Sequence, residues 1–147
     1  MAPREGRRAP EERQRHVERG LGEGGIATSF LHYYLGVQDW KQGDRDSARS
    51  HFELASSLNP GFKVISNNLA MAIASVSTRQ DELEQALVMM NELVKQEPAN
   101  PHFLDTRAHV HAKLGRLKEA VRDFESALPY AKAKNSTHTR LAQLYQQ

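Results

Sequence analysis

The sequence predicts an all-α protein of repeated helical hairpins, and three observations carry that prediction. Four small residues, Gly36, Ala70, Ala108 and Ala142, each sit inside an apolar pattern of helical period, at separations of 34, 38 and 34. A second small-residue series, Ala48, Ala86 and Ala120, is spaced by 38 and 34, so one insertion of four residues between Ala70 and Ala86 reconciles both series. Each member of the second series also opens the same motif, with offsets of four, seven and twelve: Ala48, Phe52, Ala55, Pro60; Ala86, Met90, Leu93, Pro98; Ala120, Phe124, Ala127, with Lys132 in the proline position. Those offsets place small and bulky residues on one helix face and then stop the helix.

Taken in order, residues 1–25 have no place in the repeat. They mix six Arg with five Glu and end in a glycine-rich run, so a disordered charged tail and flexible linker are expected there. The first hairpin spans about residues 29–62, with Gly43 in its turn and Asp44 as N-cap of the second helix. The second spans about 63–100; Ser75 to Leu83 is the place for the insertion, and Asp81 with Glu84 reads as an aspartate-led capping box. Asn100-Pro101 supplies a cap and a first-turn proline for the third hairpin, about 101–134, whose turn contains Gly115. From Asn135, read as another cap, a fourth first-helix begins with Leu141, Ala142 and Tyr145 in register, forming a capping helix over 135–147.

With those residues in place, the stretch from 29 to 147 resembles tetratricopeptide repeats, helix-turn-helix units of about 34 residues. The first unit carries Leu35, Gly36, Gly43, Ala48, Phe52, Ala55, Leu58 and Pro60; the third departs by placing Arg107 where an apolar residue is expected. The resemblance implies a right-handed α-solenoid of about three units plus the cap, near the minimum that can bury its own apolar faces. The Asn67-Asn68-Leu69-Ala70 and Leu104-Asp105-Thr106 stretches are similar to bacterial repeat proteins of cell-envelope and secretion systems, without setting a partner.

Composition excludes several classes. Twenty Lys and Arg oppose 18 Asp and Glu, and acids interrupt nearly every basic run, so a duplex-binding face is not indicated. Cysteine is absent, which removes disulfides, thiolate metal sites and a cysteine nucleophile. With no apolar run long enough to span a membrane and no secretory signal pattern, a cytoplasmic protein without membrane insertion is expected. No phosphate loop, nucleophile elbow or zinc-protease motif occurs, so no enzymatic activity, cofactor or small-molecule substrate is expected.

The resemblance further implies that the first helix of each unit lines a concave groove. By register its wall runs Phe30, Val64, His102; Tyr33, Asn67, Asp105; Tyr34, Asn68, Thr106; and Val37, Met71, His109. The spacing of Phe30, Tyr33, Val37 and Trp40 makes an apolar stripe, which anchors a ligand or packs against another segment or subunit. Asn68 is the leading candidate for gripping a ligand backbone, since an amide both donates and accepts. Relatives that hold the acidic tails of heat-shock chaperones use basic clamp residues, and here those positions are Tyr33, His102 and Thr106, which excludes that partner class. His102 and His109 lie about 10.5 Å apart along a helix, too far to share an ion, so no metal site is expected. The expected partner is another protein or peptide held in the groove. Self-assembly into a homo-oligomer is the alternative, and a salt-sensitive nucleic-acid role of the Arg-rich tail a third.

Overall fold

The structure, a computed structural model, describes residues 25–130 and 134–146. The tail and linker expected over residues 1–25 lie outside them, apart from Gly25, which opens the first helix. Among the described residues there are seven α-helices: α1 Gly25–Gln42, α2 Arg45–Leu58, α3 Lys63–Val76, α4 Gln80–Gln96, α5 Pro101–Lys113, α6 Leu117–Ala127 and, after a 3-10 turn at Leu128–Tyr130, α7 Lys134–Tyr145. Each helix packs on the next through α6 and α7, and α3 packs directly on α5, giving a right-handed α-solenoid of three helical hairpins and a capping helix. Among the described residues no helix is long and apolar enough to cross a membrane.

Local chemistry explains the boundaries. Asp44 accepts a hydrogen bond from the Ser47 amide, and Asn100 accepts from the amides of His102 and Phe103 with Pro101 as the first helical residue. Gly43 and Gly115 take positive φ, 88° and 74°, in the turns of the first and third hairpins. The second hairpin turns differently. Compared with α2, helix α4 has three extra residues at its start and the turn has one more, which accounts for the four inserted residues. Asp81 is therefore not the N-cap: it lies inside α4 and pairs with Arg79. Buried Ser77 organises that turn instead, accepting from the Arg79 amide and donating to Glu82. Asn135 likewise falls inside α7, which begins one residue earlier.

The two small-residue series form the hairpin interiors. Ala48, Ala70, Ala86, Ala108 and Ala120 are fully buried beside Phe52, Met90 and Phe124. Each such large side chain contributes about 1.5 to 3 kcal/mol by leaving water. Ala142 departs from its series and is exposed, because among the described residues no second helix follows α7 to pack against it. Helix α7 instead inserts Leu141 against Ala108 and Phe124.

Arg107, the polar intruder of the third unit, is satisfied by Asp123 of α6. Its Nε and Nη2 each donate at 2.7 Å to the two carboxylate oxygens, and Asp123 is only 4% exposed. Ion pairs also tie successive units together, Arg49 to Glu82, Arg116 to Glu84 and Arg140 to Asp105, while Lys63 to Glu97 joins the two ends of the second hairpin.

Candidate functional site

A cleft of about 600 Å³ opens where the linkers before α3 and α5 meet the first turns of those helices. Two prolines shape the linkers, Pro60 and Pro98, each ending a second helix. Phe62, at the N-cap position of α3, makes no side-chain cap; its ring packs edge-on against Phe30 of α1, with centroids 5.0 Å apart. Glu97 fastens the other linker, accepting from Lys63 Nζ at 2.7 Å and Asn100 Nδ2 at 2.8 Å. The Lys63 hydrogen bond, then that of Asn100, holds the Glu97 carboxyl below its usual range.

Phe62, Val64 and Phe103 supply the apolar lining of the cleft, and Asn67, Asn68, Asn100 and His102 the polar part. Phe103 is buried, whereas Val64 is 42% exposed. Asn67 donates through Nδ2 to Asn68 Oδ1 at 3.3 Å. The Asn67 Oδ1 atom is itself buried without a hydrogen-bond partner, and Asn68 retains an amide nitrogen able to donate. The cleft thus offers apolar surface beside an incompletely satisfied pair of amides. Its one ion pair, Lys63 with Glu97, is internally neutralised.

Of the residues expected in the groove, Val64, Asn67, Asn68 and His102 come together here, with Phe30 touching the rim through Phe62. The others are placed differently. Tyr33, Val37 and Trp40 are partly buried against the main core, Tyr33 leaning on Phe52 and Trp40 lying under the Arg45 guanidinium at 3.8 Å. The stripe drifts inward because spacings of three, four and three carry it around the helix toward α2, and the exposed stripe of α1 is instead Ile26, Phe30, Leu31 and Tyr34. Met71 is half-buried and Thr106 is buried. Asp105 is engaged by Arg140 at 3.1 Å. His109 donates from Nδ1 to the Asp105 carbonyl and presents its ring edge-on to Phe124. Burial, the largest influence, holds its imidazole below the ordinary value. Among the described residues no group of three or more His, Asp or Glu side chains is arranged to hold a metal ion.

Sequence reasoning missed Phe62, Phe103 and the Lys63–Glu97 clasp. The clasp carried one signal, since its partners stand 34 residues apart, the repeat length itself.

No family model matches the chain, and no curated protein matches it. Solved structures do. The chain is similar to the tetratricopeptide-repeat domain of Arabidopsis OM64, with 22% identity, TM-score 0.63, 81% of this chain covered and 98% of that one. It is similar to the first such domain of Spaghetti (RPAP3) bound to an HSP90 peptide, with 20% identity, TM-score 0.63 and coverage of 82% and 93%. It is also similar to PcrH of Pseudomonas aeruginosa, with 23% identity, TM-score 0.60 and coverage of 82% and 90%. A further structure has PcrH in complex with the chaperone binding region of PopD, at 22% identity and TM-score 0.59, with coverage of 79% and 90%. The chain therefore has the tetratricopeptide-repeat fold.

Proposed function

We propose that this chain is a protein-interaction adaptor which holds a segment of another protein in the cleft between α3 and α5, and that it acts by binding rather than by chemistry. The observation that carries this reading is the unpartnered, buried Asn67 Oδ1 beside exposed Val64 and the Phe30–Phe62 pair. A peptide backbone supplies both the donor and the acceptor that the two asparagines call for, and an apolar side chain fills the space over Phe103. Similar domains bind an HSP90 peptide or part of PopD, which fits a peptide-holding role. An acidic chaperone tail does not suit this cleft: its cation is neutralised by Glu97, and Arg140 on α7 is engaged by Asp105. The partner segment is accordingly uncharged where it enters. Residues 26–147 are the binding unit, and residues 1–25 are a tail that binding does not require.

The test is affinity capture from a lysate of the source cells, with wild type beside Asn68→Ala and Val64→Asp variants of matched helicity. A protein retained by wild type, lost from both variants and displaced by one of its own peptides supports the reading. Equal retention by all three overturns it.

A further inference from the structure

Leu31 of α1, Ile65 of α3 and Phe103 of α5 occupy one register position, five residues before Gly36, Ala70 and Ala108. Ile65 is 0% exposed and Phe103 4%, whereas Leu31 is 56% exposed. The difference lies in what precedes each helix. Helix α3 packs on α2, and α5 on α4, so the outer face of each is covered by the hairpin before it. Two residues past the small residue the same contrast holds: Ala72 and Val110 are fully buried, and the equivalent Gln38 is not.

Sequence directly before α1 is unsuited to cover that face. The register that gives Ala48, Phe52 and Ala55 in α2 falls on Gln14, Glu18 and Leu21 one repeat earlier, so two of the three facing positions are polar. Yet α1 is built for burial. From Gly25 to Gln38 it contains no Lys, Arg, Asp or Glu, while Ile26, Leu31 and Tyr34 are more than half exposed. Ala27, Leu31, Tyr34 and Gln38 follow one another at four, three and four, the spacing at which two helices interlock side chains.

We infer that this outer face of α1 pairs with the same face of a second copy, giving a twofold dimer in which each α1 stands where a preceding repeat's second helix would stand for the other. Neutrality favours self-pairing in particular. Identical faces meet around a twofold axis, so any net charge on the seam would oppose itself, and this seam carries none. Two such helices bury on the order of 1,000 Å², the lower end of specific interfaces, which fits a dimer that dissociates on dilution. The inference does not use the cleft between α3 and α5, and the two readings fail separately.

Sedimentation velocity of the full chain over a wide concentration range tests it. Wild type rises from the mass of one chain, 16.6 kDa, to that of two. Leu31→Glu, with unchanged helicity, stays monomeric and weakens dimerisation by roughly tenfold or more. Mixing Leu31→Glu with Leu31→Lys restores a mixed dimer. Because the chain has no cysteine, Tyr34→Cys forms a disulfide-linked dimer on oxidation, a readout that holds even if the Leu31 variants do not fold. Asn68→Ala leaves the mass curve unchanged. Wild type that remains monomeric throughout, or a dimer that survives Leu31→Glu, overturns the inference.

Discussion

Arg107 and Asp123 form a two-pronged ion pair between α5 and α6, with both contacts at 2.7 Å, at a place where the repeat pattern calls for an apolar side chain. Removing one partner strands the other. Arg107→Ala leaves Asp123 buried and uncompensated and costs about 3 to 5 kcal/mol, whereas Arg107→Leu combined with Asp123→Leu is close to neutral. Chemical denaturation of both variants measures this; a single variant as stable as wild type would show that the pair is not buried in solution.

Gly36 faces the ring of Phe52. A Cβ at Gly36 would stand 2.7 Å from Phe52 Cε1 and 3.2 Å from the Ala48 carbonyl oxygen. Alanine improves helix propensity by about 1 kcal/mol, but crowding a packed core costs about 1 to 3 kcal/mol, so Gly36→Ala is destabilising on balance. Pairing it with Phe52→Leu recovers part of the loss. The melting temperatures of the two variants decide the point, and a rise for Gly36→Ala alone is the contrary result.

Helix α7 acts as a lid on the last hairpin through Leu141, which is 6% exposed against Ala108 and Phe124. Leu141→Ala is expected to cost about 2 to 5 kcal/mol. Removal of residues 134–147 also breaks the Arg140–Asp105 pair and uncovers Phe124, so hydrogen exchange speeds up in α5 and α6 before α1 and α2. Uniform protection after truncation would contradict the lid.

Phe30 and Phe62 meet edge-on at the rim of the cleft, with Phe30 41% exposed. Phe30→Ala is expected to cost about 1 to 3 kcal/mol of stability, because the ring contact is lost together with the burial of more than half of the side chain. Binding of a captured peptide by the folded variant should fall roughly tenfold, about 1.4 kcal/mol. Calorimetric titration separates the two; a variant that binds normally removes Phe30 from the site.

Burial is the leading influence on His109 and His111, and it lowers both imidazoles from 6.5. Around His109 stand Asp105, Arg140 and the Phe124 ring, and around His111 Asp123, Arg107, Glu119 and Arg116. Above the ordinary imidazole value both histidines are neutral in either state and stability is flat. As pH falls below it, the unfolded chain takes up protons the folded chain refuses, so stability declines until the folded groups titrate. A second decline starts near 4.5, where Glu82 would ordinarily titrate; hydrogen bonds from Arg49 and Ser77 hold it down to about 2, and its contribution is lost over that interval. Melting temperature against pH should show both phases, and His111→Asn should shrink only the first.

The repeat was legible because each hairpin needs the same things at the same places. A small residue lets helices approach, a bulky one fills the gap four positions on, and in the first and third hairpins a glycine handles the turn. The cleft was legible only in part. Asn67, Asn68 and His102 follow from helical register, but Phe62 and Glu97 lie in linkers, where no period governs direction. Asp81 was misread as a cap because α4 begins one residue before it, its N-cap residue Arg79 makes no side-chain capping bond, and Ser77 holds the turn instead, which only the folded turn shows.

The sequence by itself determined the helical hairpins, their order, the site of the insertion and the proline stops, since all of these are set by spacing within one or two turns of helix. Tertiary structure alone decided the rest. It turned Tyr33, Val37 and Trp40 toward the core, paired Asp105 with Arg140 and Arg107 with Asp123, and left Leu31 and Ala142 exposed where equivalent residues are covered. The physical reason is that identical positions in a repeat share a backbone but not a neighbour, and burial, pairing and exposure belong to the neighbour.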